Sequence, residues 1–259
     1  MTSPARHAPW DTQRHASEPE IPLWARPELR AAAGDTLRPG GLELTSRLAD
    51  AMGLCPGMRV LDAGCGPGAT VRLLRRRYGV HALGLDRQPS PSRGTLPRHL
   101  PMVQGRVHTL PLPDSSLHAI FCECVLSLQP DPVRVLREFQ RVLRPGGFLG
   151  LTDLYLPEAA CSSACKADTP PLPRQKVKTS CAERAPEESA LRKSICRAGM
   201  QLIQFEDHSF QLRTLAAKLA WTGCAPRCNG ERRPGYCLVL ARKPLHDTEE
   251  QPPCSTTWI

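Results

Sequence analysis

Residues 58–78 constrain this chain more than any other stretch. A short apolar run, 58–61, ends in Asp62 and passes into the turn Gly64-Cys65-Gly66-Pro67-Gly68. A segment of helical character follows over 70–78. The order reads as strand, turn, helix. Glycines let the backbone turn sharply and come close to a ligand where a Cβ would collide. The helix start adds free N–H groups and a positive dipole end, which suit a carboxylate or phosphate. Asp62, just ahead of the first glycine, is placed to hold a cationic or hydroxyl-bearing group.

A second landmark is Asp86, which closes the apolar run 80–85. It lies about 20 residues past the glycine turn, where a strand-end acid takes ribose hydroxyls. Turn and acid together indicate an adenosine-containing ligand. Gly64, Gly66 and Ala69 also admit a dinucleotide fingerprint, so a nicotinamide-dependent oxidoreductase is one reading. The acid before the first glycine and the third glycine at Gly68 favour another. Asp62-x-Gly64-Cys65-Gly66-x-Gly68 resembles the first motif of class I S-adenosylmethionine-dependent methyltransferases. Within that group the chain is similar to methyltransferase type 11 and to the ubiquinone–menaquinone and arsenite enzymes. Residues 110–120, Leu-Pro-Leu-Pro-Asp-Ser-Ser-Leu-His-Ala-Ile, resemble the family's loop into its fourth strand. Residues 143–149, Leu-Arg-Pro-Gly-Gly-Phe-Leu, resemble its turn into the fifth.

The resemblance covers residues 40–156 and implies an α/β fold. Its sheet is Rossmann-like, doubly wound and seven-stranded, with an antiparallel last strand. It also implies S-adenosylmethionine as cofactor, held at Asp62, Gly64, Cys65, Gly66, Gly68 and Asp86. Many members carry an adenine-binding Asp at the end of the third strand. Here Gly105-Arg106-Val107 stands there, and Arg106 cannot accept a hydrogen bond. Stacking of Arg106 on the base, or a backbone contact, is the expected substitute. Cys122, Glu123 and Cys124 fall at the end of the fourth strand, where an open parallel sheet meets its ligand.

Composition narrows the class further. The 259 residues suit one large domain or one domain with additions. Arms and inserts are expected at 1–20 (a disordered arm), 157–185 (a Cys- and Pro-rich insert or lid) and 245–259 (a loose tail). The cofactor-binding core spans 21–156, and 186–244 completes the same domain. Within it, helices are expected over 42–52 and 186–198 and from Asp131 and Ser209 onward. Further strands are expected at 101–105, 119–125, 148–154, 201–206 and 236–241. No apolar run reaches the ~18 residues of a membrane span, and the N-terminus lacks a signal-peptide core. A soluble cytoplasmic protein is the expectation. The net charge of +9 is scattered, and base-stacking aromatics are few, so a nucleic-acid partner is not expected.

Twelve cysteines are many for such a chain. Without a secretory signal, reduced thiols are expected rather than a disulfide scaffold. Residues 122–131, with Cys124 followed by Val125, resemble the strand-four segment of arsenite methyltransferases. Cys181 falls roughly where another arsenic-binding cysteine of that family lies. Two thiolates suit a soft trivalent centre. Glu123 and Ser127 replace that family's asparagines, and its cysteine after the glycine motif is missing. For Cys124 the plainer role is a small buried hydrophobe. Cys161, Cys165, Cys224 and Cys228 have the spacing for a zinc site, in loop-like sequence. His208 is a candidate for the substrate pocket, or for bonding to its neighbours at a strand end.

The expectation is therefore a methyltransferase with a small-molecule acceptor, a thiol-bound metalloid such as arsenite among the candidates. The alternative is a non-catalytic methyltransferase-like module with a cysteine metal site. Methyl transfer from a sulfonium is an in-line displacement, so alignment and exclusion of water matter more than a strong base.

Overall fold

The computed structural model describes residues 26–88, 100–158, 184–221 and 233–245. Seven strands form one sheet: β1 (Arg59–Ala63), β2 (His81–Asp86), β3 (Met102–Gln104), β4 (Leu117–Glu123), β5 (Leu143–Tyr155), β6 (Gln201–Asp207) and β7 (Gly235–Arg242). Their order is β3-β2-β1-β4-β5-β7-β6. The first five are mutually parallel, and β7 runs antiparallel between β5 and β6. The pairing of the last two strands thus holds although a helix separates them in the chain. The helices are α1 (Pro27–Ala33), α2 (Gly41–Ala51), α3 (Ala69–Tyr78), α4 (Pro132–Val142), α5 (Glu188–Arg197) and α6 (Ser209–Trp221).

Strand alternation divides the interior into two layers. Toward α2 and α3 point Val60, Ala119, Phe121, Tyr236, Leu238 and Leu240, packed with Leu44, Leu48, Val71 and Leu74. Toward α4 and α5 point Leu61, Ile120, Cys122, Leu149, Leu151, Val239 and Ala241, packed with Leu136, Phe139, Leu191 and Ile195. A sheet buried on both faces needs apolar residues at successive positions, and β7 reads Tyr-Cys-Leu-Val-Leu-Ala. Local signals set the helix ends. Asp131 caps α4 by accepting from the Arg134 N–H at 3.0 Å, and Pro132 occupies the first helical position. Gly79 ends α3 in the left-handed region at φ 64°.

One expectation is corrected: the fourth strand stops at Glu123 rather than continuing to Val125, because Cys124 turns into the left-handed region at φ 56°. Helix α1 and the 3₁₀ turn Gly34–Thr36 precede α2. Among the described residues no helix is long and apolar enough to cross a membrane. Most of the 157–185 insert, the first arm and the tail beyond Leu245 lie outside the described residues.

Candidate functional site

The glycine turn is fastened to the end of β2. Gly64 and Cys65 donate their N–H groups to the Leu85 carbonyl at 2.7 and 3.1 Å. The Gly66 N–H donates to Asp86 Oδ2 at 3.0 Å, and Gln88 N–H to Oδ1 at 2.9 Å. Gly64 takes φ 88°, and a Cβ there would lie 2.2 Å from Val125 Cγ2. Gly66 takes φ 49° with nothing within 4 Å of an added Cβ, so it borders open space. Gly68, at φ 83°, leads into α3. The turn is thus a preformed backbone cradle beside an acid, the arrangement that admits a ribose.

Three acids lie in a row on neighbouring strands: Asp86 on β2, Asp62 on β1 and Glu123 on β4. Asp62 is 3% exposed, and its Oδ2 has no hydrogen-bond partner among the described residues. Burial pushes its carboxyl up to about 8; the neighbouring Glu123 and Asp86 add to this, and Arg38 opposes it. A buried acceptor without a partner is costly. A cationic donor placed there would satisfy it and favour its ionised form.

Glu123 is handled differently. Arg38 lies 2.7 Å away, and both residues are 7% exposed. Thr45 of α2 donates to Glu123 Oε1 at 3.0 Å, and Thr70 of α3 donates to Oε2 at 3.1 Å. Arg38 Nη2 donates in turn to both hydroxyls. Guanidinium, two hydroxyls and carboxylate form one network, which leaves Arg38 Nε as a second buried atom without a partner among the described residues.

Next to this network Cys124 Sγ lies 3.2 Å from the Tyr236 hydroxyl, which donates to Thr152 Oγ1 at 3.0 Å. Cys124 is thus on the α2 side of the sheet. Cys122 is not: alternation turns its side chain into the opposite layer, fully buried, so its expected contact with the cofactor is corrected. Cys65 is buried beneath the turn against β2, where a Cβ on Gly84 would meet its Sγ at 2.7 Å. Its thiol is pushed up by burial, and the residue offers the cradle its backbone. Arg106 is exposed, in a bridge with Thr109 just past β3. His208 bonds Glu206 at 2.7 Å, and Arg47 holds the same carboxylate bidentately at 2.7 and 2.8 Å. Cys181 and the four cysteines considered for zinc lie outside the described residues. Among the described residues no cluster of three His, Cys, Asp or Glu is set to hold a metal.

Arg38 and Thr45 went unnoticed in the sequence. The one available signal was Glu123 itself, an acid inside an apolar strand, which demands a cation from elsewhere.

Comparison with known proteins places this geometry. The family described as "Methyltransferase domain" matches residues 61–151. The sterol 24-C-methyltransferase ERG6B of Gibberella zeae is 34% identical over 42% of this chain and 32% of its own length. The arsenite methyltransferase of Halobacterium salinarum is 32% identical over 39% of this chain and 28% of its own. The chain therefore spans about a third of the curated relatives it matches. Among solved structures, the 4+2 cyclase SpnF superposes with a TM-score of 0.59, 25% identity, and coverage of 78% of this chain and 80% of that one. The phosphoethanolamine N-methyltransferase 2 of Haemonchus contortus shares the fold at a TM-score of 0.61 and 14% identity, over 84% of this chain and 56% of that one. With the strand order, the glycine turn and Asp86 all in place, residues 61–151 belong to the class I S-adenosylmethionine-dependent methyltransferases.

Proposed function

We propose that the protein binds S-adenosylmethionine across the ends of β2, β1 and β4 and transfers its methyl group to a small-molecule acceptor. The observation that carries this reading is the turn itself: a glycine backbone at positive φ, fastened to Asp86 at the end of β2 and bordering open space at Gly66, with buried Asp62 next along the edge. Asp86 would take the ribose hydroxyls, Gly64 and Gly66 the close backbone approach, and Asp62 the cationic end. The cofactor brings an activated sulfonium methyl, so the residues of this chain need only bind, orient and exclude water. Cys124 lies just past the end of β4, where the acceptor would approach, and is backed by the buried Tyr236 hydroxyl.

The relatives differ in acceptor, as their names state: sterols, arsenite, phosphoethanolamine. Arsenite is the acceptor favoured by Cys124, which is on the site side of the sheet, with Cys181 as its expected second thiolate. One structural neighbour is named a cyclase, so a site without methyl transfer is the rival reading.

Thermal unfolding of the reduced protein with S-adenosylhomocysteine tests the cofactor. At a hundredfold excess over Kd, stability should rise by about 2.7 kcal/mol, and Asp86→Ala should abolish the response. Absence of any rise at saturating ligand would sink the reading. Turnover with arsenite and thiol, lost in Cys124→Ser, would establish the metalloid acceptor. Cofactor binding without turnover on any acceptor would favour the rival.

A further inference from the structure

Helix α6 is apolar on two sides. Leu212, Leu215 and Leu219 face inward, and the last two close a small core with Leu29 of α1. The opposite side carries Phe210, Ala217 and Trp221, all exposed. They are spaced at two and three helical turns, so they form one line along the helix. Phe210 is 67% exposed and Trp221 93%. A single exposed apolar residue is ordinary, whereas two aromatic rings in line on one surface helix mark a contact. Arg213 and Lys218, both exposed, flank this stripe on either side, and α6 holds no acidic residue.

That pattern of charge and ring narrows what covers the stripe. A second copy docking by the same face would set Arg213 and Lys218 against their like, with no acid in the helix to answer them. An anionic bilayer surface answers both features. Aromatic rings rest at headgroup level, and Arg and Lys reach lipid phosphates from stems laid along apolar surface. No described helix can cross a bilayer, but a helix that lies in its surface need not.

Position links the stripe to the site. Strand β6 runs parallel to β5, since both are antiparallel to β7, so α6 begins at the edge where β1, β2 and β4 end. Its first residue touches that edge. Ser209 Oγ accepts from the Tyr236 N–H at 3.1 Å, and the Tyr236 hydroxyl lies 3.2 Å from Cys124 Sγ. Phe210 follows directly.

We propose that α6 is a membrane-docking face. Phe210, Ala217 and Trp221 enter the interface of an anionic bilayer, Arg213 and Lys218 pair with its headgroups, and the site edge is held at the lipid surface. The docking stands independently of the cofactor reading above.

The experiment is sedimentation of the full reduced chain with vesicles of phosphatidylcholine, alone or with phosphatidylserine added. Wild-type protein should sediment with the anionic vesicles, and less so as salt rises. Phe210→Ser/Trp221→Ser should weaken this partition roughly 10- to 100-fold. Its Tm should not change, because both residues are exposed. Arg213→Glu/Lys218→Glu should remove the preference for phosphatidylserine. Ile203→Ser, at an exposed apolar residue of β6, should sediment as wild type does. Failure of the wild type to sediment overturns the proposal. Equal sedimentation of the wild type and the double serine variant also overturns it, leaving only attraction by the net charge of +9. A dimer that the double serine variant dissociates, with no vesicle binding, overturns it in favour of a second copy on the stripe.

Discussion

Two carboxylates buried at the same end of the sheet behave in opposite ways. Asp153 on β5 faces the α4–α5 layer, and both its oxygens are filled: Ser127 N–H donates to Oδ2 at 2.9 Å and Leu154 N–H to Oδ1 at 2.7 Å. Asp62 on β1 faces the α2–α3 layer, and one oxygen has no partner. The first acid is satisfied by its own backbone surroundings and serves to hold the end of β4 against β5. The second keeps one oxygen that no described residue fills. The same contrast runs along β4, where Cys122 is core and its neighbour Glu123 is the centre of a polar network. At the end of β4 one face continues the apolar core and the other carries the polar network, and a single residue step decides which.

The comparison breaks most easily where the effects are largest. Phe139 is fully buried in the α4–α5 layer. Phe139→Ala should cost about 3–5 kcal/mol in chemical denaturation, yet leave the Kd for S-adenosylhomocysteine unchanged below the unfolding transition. A weakened Kd would show that the two layers are coupled and the division is false.

Asp62 tests the other layer through pH. With the folded carboxyl pushed up to about 8, the native state holds a proton there that the unfolded chain releases near its ordinary value of 3.8. The stability from this group is full below that value and is lost as pH rises toward about 8. The slope from one proton is at most ~1.4 kcal/mol per pH unit. Asp62→Asn should flatten the stability curve between pH 5 and 7 and abolish the response to cofactor. Identical slopes in the two proteins would refute the assignment of that proton to Asp62.

The smallest effect sharpens the contrast at one position. Cys122→Ala should lower stability by about 1 kcal/mol with no change in cofactor affinity. A clear loss of affinity would return Cys122 to the site from which strand alternation removes it.

Much of this was legible in the chain because it rests on local chemistry. Gly64, Gly66 and Gly68 adopt positive φ in the turn where the sequence placed them. Asp131-Pro132 starts a helix, and Asp86 ends β2 beside the cradle. Cys122 was misplaced because its strand is apolar on both faces. An unbroken run such as Ala-Ile-Phe-Cys gives no alternation from which to read the side that faces the ligand. Glu123 announced that a cation was needed, but the chain holds 34 lysines and arginines. Nothing local distinguishes Arg38, 85 positions away, from the rest.

The sequence by itself thus determined the glycine turn, the acid at the end of β2 and the class of fold, since each depends on backbone conformation and on spacing within one strand–turn–helix unit. Only the tertiary structure decided which side of β4 carries Glu123, that β7 inserts between β5 and β6, and that Arg38, Thr45 and Thr70 converge on Glu123. Those outcomes depend on how distant elements pack, and burial energy, being non-directional, leaves no mark in the sequence of which partner it will choose.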